Sequence, residues 1–186
     1  MQIRYIYKMN LELLYRITKS SAHTKSRIEN GNFIIQNPIL LDELIQFSFK
    51  TNDKLHVRAC CILEKVFEIN LDLSFPHLDF ICENLHFLKN DSAIRSISRF
   101  IMLLSQDNNK KKYLTENQLE KITEVCFDWL ISDIRIAPKY HAILALFELG
   151  KTQDWIYPEL RQILEKDVVG SSPGYKSIAK KILKKI

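Results

Sequence analysis

The sequence predicts an all-α chain of about four to five stacked helix pairs, and two observations carry that prediction. Among 186 residues only 4 are Gly and 5 are Pro, a poor supply of turn formers for a many-stranded β protein. Apolar residues also recur at steps of three, four and seven, the spacing that lines up one face of a helix. Leu55, Ile62 and Ile69 run beside Val57, Cys61 and Val66, Ile94, Ile97, Ile101 and Leu104 repeat the pattern, and Ile143, Leu146 and Leu149 do so again.

The punctuation between these runs divides the chain into segments at 10–19, 22–36, 38–51, 54–69, 75–88, 91–106, 115–131, 135–149, 153–167 and 173–186, with edges uncertain by about two to four residues. Asp53 is the expected cap of the fourth segment and Asp91 or Ser92 that of the sixth. Gly31 is a candidate break in the second. Gly150 is a helix stop, and Ser172 followed by Pro173 is a cap with proline in the first helical position. The polar run Gln106 to Lys112 reads as an exposed connection between two pairs.

One domain is the default at this length, with enough chain to bury a core without disulfides or metal. Cys60, Cys61, Cys82 and Cys126 form no C-x-x-C pair and stand near no histidine at ligand spacing, so reduced thiols in apolar helices are expected and no metal or cofactor is. The first eight residues lack the long apolar core and small-residue cleavage site of a leader, and nowhere is there a charge-free apolar run of about 18 residues. These features point to a cytoplasmic protein without a membrane span. Abundant Ile, Lys and Asn with sparse Gly suit an AT-rich, bacterial coding genome.

The repeat signal is the most specific feature. Val57-Arg58-x-x-Cys61, Ile94-Arg95-x-x-Ser98, Pro138-Lys139-x-x-Ala142 and Tyr175-Lys176-x-x-Ala179 each set a basic residue three positions before a small one. The basic residues recur at intervals of 37, 44 and 37, the period of two-helix repeats, and the longer interval contains the polar run before Lys112. A small residue lets helices approach, and one pair cannot bury its apolar stripe without a neighbour. Here the chain resembles the HEAT/armadillo repeat family, whose second helices open with Asp, then Val-Arg, then a small residue three on. Asp53 to Arg58 and Asp91 to Arg95 keep that order, Lys139 replaces Arg in the third pair, and the fourth keeps neither acid nor Arg. The resemblance covers about residues 38–186 and implies an α-α superhelix, with residues 1–37 as capping helices in a single domain spanning 1–186.

For function, the net charge of +5 is compatible with an acidic partner. Arg58, Arg95, Lys139 and Lys176 form a basic ladder that could grip phosphates; the family resemblance implies instead structural contacts with an acid of the same or an adjacent repeat. Lys176, Lys180 and Lys184 share one face of the last helix, with Lys181 and Lys185 beside it. That face could touch nucleic acid, an anionic membrane surface or an acidic partner protein, or serve as the polar outer surface of a terminal repeat. The five histidines show no H-E-x-x-H arrangement and no carboxylate pair stands out as acid and base. HEAT-like DNA glycosylases place an acid and aromatics in a basic groove, which brings Asp128-Trp129 and Asp154-Trp155 into view. Neighbouring residues diverge on a helix, however, and Trp129 lies in an apolar stretch, so core packing is the expectation for it. The sequence therefore predicts a non-enzymatic interaction protein with a protein partner. The alternative is a nucleic-acid-binding protein, with glycosylase chemistry remote. Ile3, Tyr5, Ile6 and Tyr7 could form a docked cap or a dimer surface, and the oligomeric state is left open.

Overall fold

A computed structural model describes residues 10–107, 113–168 and 170–186; the lysine run 110–112 and the apolar N-terminal residues 3–7 lie outside them. The described residues form ten α-helices and no strand: α1 Leu11–Lys19, α2 Thr24–Gln36, α3 Leu41–Ser48, α4 His56–Ile69, α5 Leu78–Asn84, α6 Asp91–Gln106, α7 Glu116–Ile131, α8 Ile136–Leu149, α9 Ile156–Asp167 and α10 Pro173–Leu183. None is long and apolar enough to cross a membrane.

Helix α4 packs on α2, α3 and α6, and α8 packs on α6, α7, α9 and α10. The even-numbered helices thus contact one another in chain order, from α2 through α4, α6 and α8 to α10. Their apolar faces build most of the core. Leu63, Val66 and Phe67 of α4 meet Ile97, Phe100 and Leu104 of α6, all essentially inaccessible to solvent, and the Phe67 and Phe100 rings lie 4.6 Å apart between centroids. Ile143, Leu146 and Leu149 continue the core into α8. The small residues of the repeated motif are buried at Ser98, Ala142 and Ala179, and half-buried at Cys61.

Local chemistry explains where the helices begin and end. Asp53 is not the cap of α4 that its place in the sequence suggests: it accepts from Leu55 N–H at 2.9 Å in the turn ahead of the helix, whose cap position is Leu55, without a side-chain cap bond. For α6 the cap is Asn90 and not Asp91 or Ser92: its Oδ1 accepts from the Ser92 and Ala93 amides, and Asp91 becomes the first helical residue. Ser172 caps α10 through the Tyr175 amide, with Pro173 in the first turn. Helix α7 opens with a reciprocal box between Thr115 and Gln118; Gln118 Nε2 also donates to Asp79 Oδ1 at 2.7 Å, tying α7 to α5.

Two expectations need correction. Gly31 does not break α2, which runs through it. Its missing side chain serves a close approach to α4, because a Cβ there would lie 2.9 Å from Lys65 Cγ. The segment expected as one helix at 75–88 is composite: a 3-10 stretch Leu71–His77, the short α5 and a 3-10 turn Leu85–Phe87. Pro76 lies inside the first stretch and has no N–H to bond to the preceding turn, which holds the α-helix back until Leu78. Gly150 ends α8 as expected, but in a right-handed conformation. There the Tyr157 ring fills the space a Cβ would need, while Tyr157 Oη donates to the Phe147 carbonyl at 3.2 Å.

The four cysteines are free thiols. Burial pushes Cys82 up to about 12, with Asp79 adding to the shift, and raises Cys60 and Cys126 as well. Trp129 is in the core, as its apolar neighbours suggest. Trp155 instead is exposed ahead of α9, 6.0 Å from the Phe127 ring between centroids.

Candidate interaction surface

The basic residues of the repeated motif occupy similar places, three to five residues into α4, α6, α8 and α10, yet the structure treats them differently. Arg58 is exposed and donates from Nη1 to the Thr18 carbonyl at the end of α1. Arg95 is half-buried and pairs with Glu64 of the preceding even-numbered helix, Nη2 to Oε2, at 3.2 Å. Lys139 and Lys176 are half-buried, Lys180 and Lys184 are exposed, and none of these four lysines has an ion-pair partner among the described residues. The ladder therefore divides into two arginines held by structural contacts and lysines without them.

Glu64 is the residue that sequence reasoning missed. It is 1% exposed, and around it stand Arg27 of α2, with Nη2 2.7 Å from Oε1, and Arg95 and Arg99 of α6, the latter with Nε 3.5 Å from Oε1. Arg27 is in ion-pair contact only, since neither its Nε nor its Nη2 is aligned for a hydrogen bond. One turn along α4, Glu68 pairs with Lys65 at 2.6 Å and with Arg99 at 3.1 Å. Burial works to raise the Glu68 carboxyl, but the hydrogen bonds from Lys65 and Arg99 outweigh it and hold the group below the usual carboxylate range. Three successive even-numbered helices are thus joined by one charge network. A signal for it exists in the sequence: Cys60, Glu64 and Phe67 are spaced four and three apart, so an acid occupies the buried stripe of α4.

His141 of α8 extends the network electrostatically. Its Nδ1 lies 3.0 Å from Ser98 Oγ of α6, which also donates to the Arg95 carbonyl at 3.1 Å. Burial, then the positive charges of Arg99 and Arg95, push the imidazole down to about 4, so it is neutral at pH 7. Helix α10 buries Tyr175, Ile178, Ala179 and Ile182 and turns Lys180 and Lys181 outward, the amphipathic division its sequence predicts. Tyr175 Oη donates to Asp167 Oδ2 at 3.3 Å, and burial together with that carboxylate raises the phenol.

No group of three His, Cys, Asp or Glu side chains among the described residues is placed to hold a metal ion. What these surfaces define as a class is an all-helical protein with a charge-stapled row of helices and a basic last helix. No family model, no curated protein and no solved structure matches the chain.

Proposed function

We propose that the chain is a non-enzymatic, cytoplasmic interaction protein whose helix pairs stack as a short HEAT-like solenoid and whose surface docks a protein partner. The observation that carries this reading is the serial packing of α2, α4, α6, α8 and α10, each against the next; in repeat proteins such a row of helices extends a surface instead of enclosing a site. The staple of Arg95 on Glu64 supports the structural role that the repeat resemblance implies for that position. Affinity capture from a lysate of the source cells at moderate salt, with and without nuclease, tests it. A stoichiometric protein partner that persists after nuclease treatment is the expected result.

A second reading, nucleic-acid binding, is favoured by one observation: Lys139, Lys176, Lys180 and Lys184 make no ion pair among the described residues. That reading predicts a steep loss of binding between low and moderate salt, and replacement of these lysines by Gln would flatten the salt dependence. Captured material that disappears entirely on nuclease treatment would favour it over the protein-binding reading.

A further inference from the structure

We propose that the cleft between the N-termini of α4 and α6 binds a phosphate monoester, presented by a phosphorylated side chain of a partner protein. The identity of that carrier rests on the protein-binding reading above; the site itself does not. The cleft has a volume of about 660 Å³, and Asn52, Lys54, His56, Val57, Lys89 and Asn90 contribute to its lining. The residues lining it include two ammonium groups and no carboxylate. Asp53, which accepts from the Leu55 amide, and Asp91, which lies 3.7 Å from Arg135, adjoin these residues in sequence but do not line the cleft.

Two features point to a ligand. The first is the helix end itself. In α4 the amides of Leu55, His56 and Arg58 are bonded to Asp53 and Leu55, whereas Val57 N–H has no acceptor among the described residues. The positive end of a 14-residue helix with a free amide favours an anion. On the opposite wall, Asn90 uses Oδ1 to cap α6, leaving its Nδ2 amide as a donor.

The second feature is His56. It is 4% exposed, and its Nδ1 lies 3.2 Å from the Ser48 carbonyl, an acceptor only, so Nδ1 carries the hydrogen and donates. The other ring nitrogen, Nε2, has no partner among the described residues, although the ring lines the cleft.

Charge and oxygen count select the ligand. A phosphate monoester has a second pKa of about 6, so near neutral pH it carries close to two negative charges on three terminal oxygens. Those oxygens accept from Lys54, Lys89, Asn52, Asn90 and the Val57 amide. A nucleic-acid phosphodiester carries one negative charge on two terminal oxygens and satisfies fewer of these donors.

The test is a titration of the full chain, followed by NMR at constant ionic strength, with phenyl phosphate, dimethyl phosphate and inorganic phosphate. We expect saturable shifts of the Val57 amide and the His56 ring with both phenyl phosphate and inorganic phosphate, and about tenfold or more weaker binding of dimethyl phosphate. The double variant Lys54→Gln with Lys89→Gln, at two exposed positions, weakens phenyl phosphate about tenfold or more without moving the thermal midpoint. Equal affinity for dimethyl phosphate, undiminished binding in the lysine double variant, or shifts that never saturate would each overturn the site. A short single-stranded oligonucleotide displacing phenyl phosphate with higher affinity would overturn it in favour of nucleic acid. Saturation by phenyl phosphate with no protein partner captured would leave the site standing and remove only the protein-binding reading.

Discussion

Arg95 and Lys139 hold the same place in successive repeats of the sequence motif, and the difference between them separates the two halves of the molecule. In the N-terminal half the row α2, α4 and α6 is joined through a buried carboxylate, with Arg27, Arg95 and Arg99 converging on Glu64. In the C-terminal half α8 and α10 meet through apolar residues such as Ile178 and Ile182, and Lys139 and Lys176 meet no acid among the described residues. A basic position that recurs within one chain therefore carries two roles, and what decides between them is whether the preceding helix supplies an acid on its buried stripe.

The largest expected effect is at the centre of the staple. Glu64→Ala leaves three guanidinium groups facing one another, one of them with only 14% of its side chain exposed, and the loss of a buried ion-pair partner costs about 3–5 kcal/mol. Urea unfolding at pH 7 measures it, and a loss under about 1 kcal/mol would mean that solvent, not Glu64, balances the arginines. Next comes the boundary between the halves. His141 is held near 4 in the folded chain against 6.5 as its ordinary value, so the unfolded chain takes up the proton first. Its contribution is complete above about pH 6.5 and is lost as the pH falls toward 4, a decline of up to about 3 kcal/mol. His141→Gln should remove most of that slope, with Ser98, Arg95 and Arg99 otherwise in place.

Smaller effects sharpen the contrast between the ladder positions. Arg95→Ala should cost about 1–2 kcal/mol, because it removes a charged hydrogen bond to a buried acid. The same substitution at Lys139, which has no ion-pair partner among the described residues, should stay within about 0.5 kcal/mol. Equal losses at the two positions would erase the distinction between the halves. Smallest of all, Lys180→Gln with Lys184→Gln on the exposed face of α10 should leave the urea midpoint unmoved, within about 0.5 kcal/mol.

The helical pattern is legible in the sequence because burial and backbone geometry repeat along the chain: apolar spacing marks α4, α6 and α8, the punctuation between runs marks the other segments, and Ser172-Pro173 and Gly150 mark true ends. Composite segments are not legible, since a proline such as Pro76 shortens an α-helix only in concert with the 3-10 turns around it. Asn90 does not stand out as a cap beside two other acceptable residues, a choice that backbone angles make and composition does not. At the surface, the ladder positions can be read but not their roles. Pairing depends on which helix stacks next to which, and a residue such as Arg27, 37 positions away from Glu64 in sequence, carries no mark of the contact. His56 is silent for the same reason: the carbonyl that occupies one of its nitrogens comes from another helix.

The adjacent thiols Cys60 and Cys61 give the molecule an internal clock. One is sealed in the core and the other half-buried on the same turn of α4, so a thiol reagent should modify Cys61 directly. Cys60 should react only during moments when α4 lifts from its neighbours. Cys82 and Cys126, on α5 and α7, time the movement of those two helices in the same way. The ratio of their modification rates would record, in an unlabelled and unmutated chain, whether the helices come apart pair by pair or all together.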